Sequence, residues 1–260
     1  MIDSLQRRKI LSSYVKRIWS IGCQDYSSSH HQFRFFADGS PGLMFQQAGE
    51  PMLINNDRTA ANVFLYGQTV NPIVLSTIGR YDITVVTFYP DVVQQLFGIP
   101  AHELTDSCVD LSHLAIGRKH ALTERMLDAV NEQSRIEVME NFIFDLITGT
   151  HKQLDAHIRH ATQVIQDTQG NKRISDIARE LQFSDRTLCR RFEQHVGVVP
   201  KVFSGIVKFQ SALQVLEGGK FDSLSGLAFD LGYADQSHFN RSFKAYTGIT
   251  PLEYLERAKT

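Results

Sequence analysis

The sequence predicts two domains. The N-terminal half is mainly β, a sandwich or barrel followed by helices; the C-terminal half is all-α, with two helix-turn-helix units joined by a long helix. Three observations predict this. β-Branched and aromatic runs separated by turn formers fill the chain up to about residue 90. Apolar residues then recur at helical spacing. Within the last ninety residues, one pattern occurs twice.

In the first half, HQFRFFADGSPGLMFQ sets two apolar-aromatic runs around the turn formers of residues 37–42, which predicts a hairpin. PMLINNDRTAANVFLYG repeats that grammar, with Asn55, Asn56 and Asp57 as the turn. IVLSTIG and YDITVVTFYP add two more strands, the second alternating Ile83, Val85, Thr87 and Tyr89 before Pro90 ends it. The period then changes. DVVQQLFG predicts a short helix stopped by Gly98, and residues 118–130 place Leu122, Met126 and Ala129 on one side of a helix. RIEVMENFIFDLITG does the same with Ile136, Met139, Phe142, Ile143 and Leu146 or Ile147. Gly149 and Thr150 break the pattern. This divides the chain into residues 1–150, β-rich to about 90 and then helical, and residues 151–260.

The repeat lies in the second part. ISDIARELQF, from Ile174, matches LSGLAFDLGY, from Leu224, in apolar frame and in Ala178 and Ala228. One residue is then inserted, and Leu188, Arg190, Phe192, Gly197 and Pro200 match Phe239, Arg241, Phe243, Gly248 and Pro251. Each copy reads as a helix, a tight turn and a second helix, capped by Ser184 or Asp235. Leu188 and Phe192 form the inner face of one second helix; Phe239, Phe243 and Tyr246 form that of the other. The outward positions are then Arg186, Arg190 and Glu193 in the first copy and Ser237, Arg241 and Lys244 in the second, with His238 and Asn240 flanking. Between the copies, Val202, Ile206, Phe209, Leu213 and Leu216 mark one amphipathic helix ended by Gly218 and Gly219. Gly205 costs it about 1 kcal/mol relative to Ala, so close packing is its expected reason. Two such second helices on a rigid spacer can enter successive major grooves about 34 Å apart. Arg there can bond guanine, and Asn or Gln adenine.

Composition agrees with this division. Residues 151–260 hold 15 Lys and Arg against 12 Asp and Glu, whereas residues 1–150 hold 12 against 16. An anionic partner therefore suits the second half. Apolar content of 42 % and charged content of 21 % exclude a disordered chain. No run is long enough to span a membrane, and MIDSLQRRKILSSYVKRIW carries no signal-like apolar stretch. The cysteines Cys23, Cys108 and Cys189 are odd in number and scattered, so neither a disulfide framework nor a zinc site is expected. A cytoplasmic, reduced protein follows.

The second copy, with Ala228-x-x-x-Gly232-Tyr233, SHFNR from Ser237, Phe243-Lys244 and GITP from Gly248, resembles the AraC/XylS family of bacterial transcription regulators. SDRTLCRRF from Ser184 and Gly197-x-x-Pro200 carry the likeness in the first copy, and it covers about residues 155–258. It implies a monomeric DNA-binding domain with two helix-turn-helix units reading an asymmetric site in double-stranded DNA. Carried over by position, base contacts fall on Arg186, Thr187, Cys189 and Arg190, and on Gln236, Ser237, His238 and Arg241. The pattern departs at Leu255 and at Lys208, where the family often has arginine; Lys208 is expected at a phosphate or a structural ion pair.

YVKRIW, FFADGSPGLMF, FLYGQTV and TFYPDVVQQLFGIP resemble the β-rich, often cupin-like regulatory domains that precede this DNA-binding domain. By that likeness, residues 1–150 bind a small effector, mediate homodimerisation through the helices of 118–149, or both. Trp19, Phe33, Phe35, Phe45 and Tyr66 are the candidate effector-lining residues. No metal or other cofactor is expected. His30 and His31, adjacent on a strand, would point to opposite faces. An enzyme is the rival class, but Gly-x-Ser-x-Gly, P-loop and dinucleotide patterns do not occur. Another alternative is a ligand-independent regulator whose N-terminal half serves only assembly. Activation, the commoner family role, is expected here, with RNA polymerase as partner.

Overall fold

The computed structural model describes residues 4–24, 29–150 and 153–257. After helix α1 (Ser4–Leu11) come strands β1 (Val15–Cys23), β2 (His30–Phe35), β3 (Gly42–Ala48), β4 (Leu53–Ile54), β5 (Arg58–Thr59), β6 (Val63–Tyr66), β7 (Ile73–Ile78) and β8 (Tyr81–Phe88). Helix α2 (Val93–Phe97) and strand β9 (Cys108–Asp110) follow. They form two antiparallel sheets, in the orders β1-β8-β3-β6-β9 and β2-β7-β4-β5.

The central strands of the larger sheet, β3, β6 and β8, are buried on both faces, which is why they read as near-continuous apolar runs. Met44, Phe64, Ile83 and Val85 point at Leu75 and Ile54 of the smaller sheet. Their neighbours Leu43, Phe45, Val63, Leu65, Val86 and Phe88 point the other way, into a core closed by helices. Those helices are α1 and α2 together with α3 (Ala115–Lys119), α4 (Leu122–Asp128) and α5 (Glu132–Gly149). Met139, Phe142, Ile143 and Leu146 are the buried stripe of α5, as its spacing predicts.

Two expectations are corrected. The runs on either side of residues 37–42 are not a hairpin, because β2 pairs with β7 while β3 pairs with β6 and β8. The segment crosses from one sheet to the other, turning at Gly39 with φ +72°. The helix expected over 118–130 is broken into α3 and α4 at Ala121, whose φ of +45° is left-handed. The expected turn Asn55, Asn56 and Asp57 does join β4 to β5 as a three-residue loop, with left-handed φ of +52° and +64° at Asn55 and Asn56.

The C-terminal part is helical: α6 (Ala156–Asp167), α7 (Ile174–Glu180), α8 (Asp185–Val196), α9 (Pro200–Gly218), α10 (Leu224–Asp230), α11 (Gln236–Thr247) and α12 (Pro251–Arg257). It has two cores. Leu188, Phe192 and Phe203 belong to one; Phe209, Phe239 and Phe243 belong to the other. Helix α9 supplies residues to both and so fixes one unit relative to the other. Gly205 on α9 is tightly packed: a Cβ there would come 2.6 Å from the Tyr246 hydroxyl, while the Tyr246 ring stacks on Phe209. Among the described residues no helix is long and apolar enough to cross a membrane.

Candidate nucleic-acid interface and effector cavity

The repeat in sequence is a repeat in geometry. In the first turn Phe183 N donates to Ala178 O at 2.8 Å, and in the second Tyr233 N donates to Ala228 O at 2.9 Å. Both turns pass through a left-handed residue, Gln182 (φ +56°) and Gly232 (φ +74°). Ser184 Oγ accepts from Thr187 N and Asp235 Oδ1 from His238 N, the two expected caps. Gly197 and Gly248, also left-handed, end α8 and α11.

These constraints fix which side chains face outward. On α8, Arg186 and Arg190 are exposed above the buried Leu188 and Phe192. On α11, Gln236, Ser237, His238, Arg241 and Lys244 are exposed above Phe239 and Phe243. Arg186, Arg190 and Arg241 make no hydrogen bond or ion pair among the described residues. Arg191, by contrast, is committed to Asp155, which also caps α6. Burial opposes the charge of Asp155, but the bonds from Arg191 and from Ile158 N outweigh it and hold that carboxyl below its usual range. The pair ties α8 to α6 and leaves the outer arginines of α8 free.

Other expected DNA contacts are differently placed. Thr187 is half-buried, its hydroxyl 2.8 Å from Ser184 Oγ within the cap. Cys189 is half-buried; burial, then Asp185 and Glu193, push its thiol up, so it stays a neutral, weak donor. His238 packs edge-on against Tyr233, with ring centroids 5.4 Å apart. Two expectations need correction. Asn240 is half-buried with its amide oxygen enclosed in the protein, so its acceptor is not offered to a base. Lys208 turns into the domain. Its ammonium donates to Gly232 O at 3.2 Å and sits 5.7 Å from the Tyr233 ring centre, and burial lowers its pKa.

Lys208 thus fastens α9 to the turn of the second unit. Lys208→Met is expected to cost about 1 kcal/mol of stability while leaving random-DNA affinity and its salt dependence unchanged. Urea unfolding and anisotropy over a salt series check this. A salt slope reduced by about one would restore the phosphate role.

The second feature is a cavity of about 110 Å³ between the two sheets. Its walls are mostly apolar, with Phe35, Met44, Phe64 and Leu75 among them, and Arg58, Tyr66, Thr69 and Cys108 supply polar atoms. Of the expected lining residues, Phe35 and Tyr66 reach it. Trp19 and Phe33 pack around the same inter-sheet core without lining the cavity. Phe45 is a correction: it lies on the opposite face of β3, in the helix-covered core, with the Arg135 guanidinium over its ring. Arg58, which sequence reasoning did not single out, donates to Cys108 Sγ at 3.1 Å. Burial nevertheless pushes the Cys108 thiol up, so it is a poor partner for a guanidinium. Burial also raises the Tyr66 phenol, with Asp38 adding to the effect, so that hydroxyl stays a neutral donor. His30 is exposed whereas the His31 Nε2 is buried, the alternation expected of neighbours on a strand.

Comparison with known proteins bears on both regions. A family profile described as a helix-turn-helix domain matches residues 177–257, and one described as a domain of unknown function (DUF6597) matches residues 4–110. An HTH-type transcriptional regulator of Haemophilus influenzae is 31 % identical over 91 residues, 35 % of this chain and 30 % of that one. The HTH-type transcriptional activator RhaS of Escherichia fergusonii is 28 % identical over 145 residues, 55 % of this chain and 47 % of its own. The chain therefore spans less than half the length of these curated relatives. A solved structure of ToxT from Vibrio cholerae aligns with 94 % of this chain and 98 % of its own, at TM-score 0.49 and 14 % identity.

Proposed function

We propose that the chain is an AraC/XylS-type helix-turn-helix transcription regulator: a sequence-specific DNA-binding activator, not an enzyme, controlled by its N-terminal half. Helices α8 and α11 enter successive major grooves of one operator. Arg186 and Arg190 read the first half-site; Gln236, Ser237 and Arg241 read the second, with Lys244 toward the backbone. The observation that carries this reading is the matched pair of exposed helix faces whose arginines Arg186, Arg190 and Arg241 are left without intramolecular partners among the described residues. A guanidinium held free on a rigid helix can form the bidentate bond to guanine without first breaking another.

The inter-sheet cavity supports an effector over a purely assembling N-terminal half. A water needs about 10–15 Å³ and drug-sized pockets about 300–1,000 Å³, so this space suits a small molecule. Its apolar walls favour a hydrocarbon body. Arg58, whose partner is a weakly accepting thiol, favours a carboxylate or similar acceptor at one end. The helices after β9 would serve a homodimer, and activation would bring RNA polymerase as a partner.

The test uses the full chain and oligonucleotides it selects from a random pool. Arg241→Ala and Arg190→Ala should each weaken binding to the selected sequence by about 1–3 kcal/mol and relax preference at a single position. Equal loss on selected and random DNA would contradict base reading by these arginines.

A further inference from the structure

At one outward position the two copies carry opposite charges. Arg186, Arg190 and Glu193 form a stripe on α8, and Ser237, Arg241 and Lys244 form the matching stripe on α11. All six are exposed. Glu193 thus stands where the second unit has Lys244. Its side chain makes no hydrogen bond or ion pair among the described residues. Its charge reaches the Cys189 thiol, one turn back on the same side of α8, and with Asp185 helps burial to keep that thiol neutral. The remaining basic residues of α8, Arg191 and His195, face Asp155 instead.

The outward face of α8 therefore sets two guanidiniums, Arg186 and Arg190, against two carboxylates, Asp185 and Glu193, whereas α11 contains no acid between Gln236 and Thr247. A carboxylate that faces double-stranded DNA has few acceptable neighbours. Phosphate oxygens repel it, and so do the acceptors of guanine and thymine in the major groove. The donors there are the amino groups of cytosine and adenine. Adenine sets its N7 acceptor beside its amino group, where a second carboxylate oxygen would meet it, so cytosine N4 is the better partner. At a rise of 1.5 Å per residue, Arg186 to Glu193 spans about 10 Å along the helix, the length of about three base-pair steps. Arg190 and Glu193, three residues apart, are neighbours on the helix surface and so address adjacent base pairs.

We infer that Glu193 is a specificity-determining residue of the first unit, whose carboxylate accepts from the N4 amino group of a cytosine beside the guanine read by Arg190. The inference deepens the reading of α8 as a DNA-facing helix and rests on it. Discrimination then comes from repulsion as well as attraction. Arg186 and Arg190 draw the helix to any duplex, and Glu193 makes that attraction conditional on sequence, because every other register sets its charge against a phosphate or a base acceptor. Lys244, at the same place in the second unit, adds to affinity on all sequences.

The experiment uses the full chain and the operator it selects from a random pool, with each base pair of the first half-site changed in turn. Glu193→Ala and Glu193→Lys are compared with the unaltered protein, and Arg190→Ala and Arg241→Ala are run alongside. Anisotropy over a salt series gives the affinities, and thermal unfolding checks that each variant is folded. The unaltered protein is expected to lose at least about fivefold in affinity when one C·G pair, next to the guanine that Arg190 reads, is replaced. Glu193→Ala should lose that preference at that pair alone, and bind random DNA more tightly. Glu193→Lys, which copies the second unit, should bind random DNA more tightly still, with a salt slope steeper by about one. An unchanged preference at every pair in Glu193→Ala overturns the inference and makes Glu193 a solvated acid. An equal gain on operator and random DNA also overturns it, leaving only a repulsive charge. If Arg190→Ala and Arg241→Ala lose their preferences while Glu193→Ala does not, the inference fails and the DNA-reading assignment stands. If none of the three loses any preference, that assignment fails and the inference falls with it.

Discussion

Arg159→Ala is expected to destabilise the protein by about 3–5 kcal/mol, the largest effect of any single charge removal here. The reason lies with its partner. Asp91, at the start of the α2 segment, is only 2 % exposed, and Arg159 on α6 grips its carboxylate with two bonds of 2.9 and 3.0 Å. The same guanidinium donates to Ser13 O at 2.9 Å and lies over the Tyr89 ring. Removing it leaves a buried carboxylate without its counter-ion, and burial without a partner costs far more than the pair itself contributes. The companion variant separates these terms: Asp91→Leu with Arg159→Met should recover most of the loss, since a well-packed apolar pair replaces the ion pair at little cost. Urea unfolding of the full chain, followed by the fluorescence of Trp19, measures both. A loss below about 1 kcal/mol for Arg159→Ala would mean that water reaches Asp91 and that the clamp is no stronger than a surface pair.

Phe243→Ala is expected to cost about 3–5 kcal/mol and to remove the second unit's share of operator preference. Phe243 is fully buried and meets Phe209, Tyr254 and Phe239 at centroid distances of 5.3, 5.7 and 5.9 Å. It is the residue around which α11 is seated on α9 and α12. The core of the first unit is a separate cluster, so the damage should stay in the second. Residual binding should then resemble that of one unit, weaker and less selective than in the Arg241→Ala protein. Urea unfolding and anisotropy on the selected operator decide this. Undiminished operator preference would show that α11 is not needed for reading, and with it the assignment of Gln236, Ser237 and Arg241 would fall.

Much of the DNA-facing half was legible because its determinants are local. The caps at Ser184 and Asp235, the helix-ending glycines and the apolar stripes each act within a few residues. Their repetition fixed the direction of Arg190 and Arg241 without any knowledge of the tertiary packing. Asn240 and Lys208 were misjudged because each stands at the edge of a stripe, where the neighbouring element decides the side chain's direction. For Lys208 that neighbour is the turn at Gly232, on a different helix pair.

The β half was less legible. A strand buried on both faces, such as β3, carries no period that says which face meets which layer, so nothing local to Phe45 tells the cavity side from the helix-covered side. Strand pairing is also a long-range choice: β2 finds β7 across some forty residues rather than its neighbour β3. The sequence by itself determined the helical repeat, its caps and its outward arginines, because hydrogen bonds and side-chain periods within a single element specify them. Only the tertiary structure decided the sheet partners, the cavity and the Asp91–Arg159 clamp, because each needs residues far apart in the chain to be buried together.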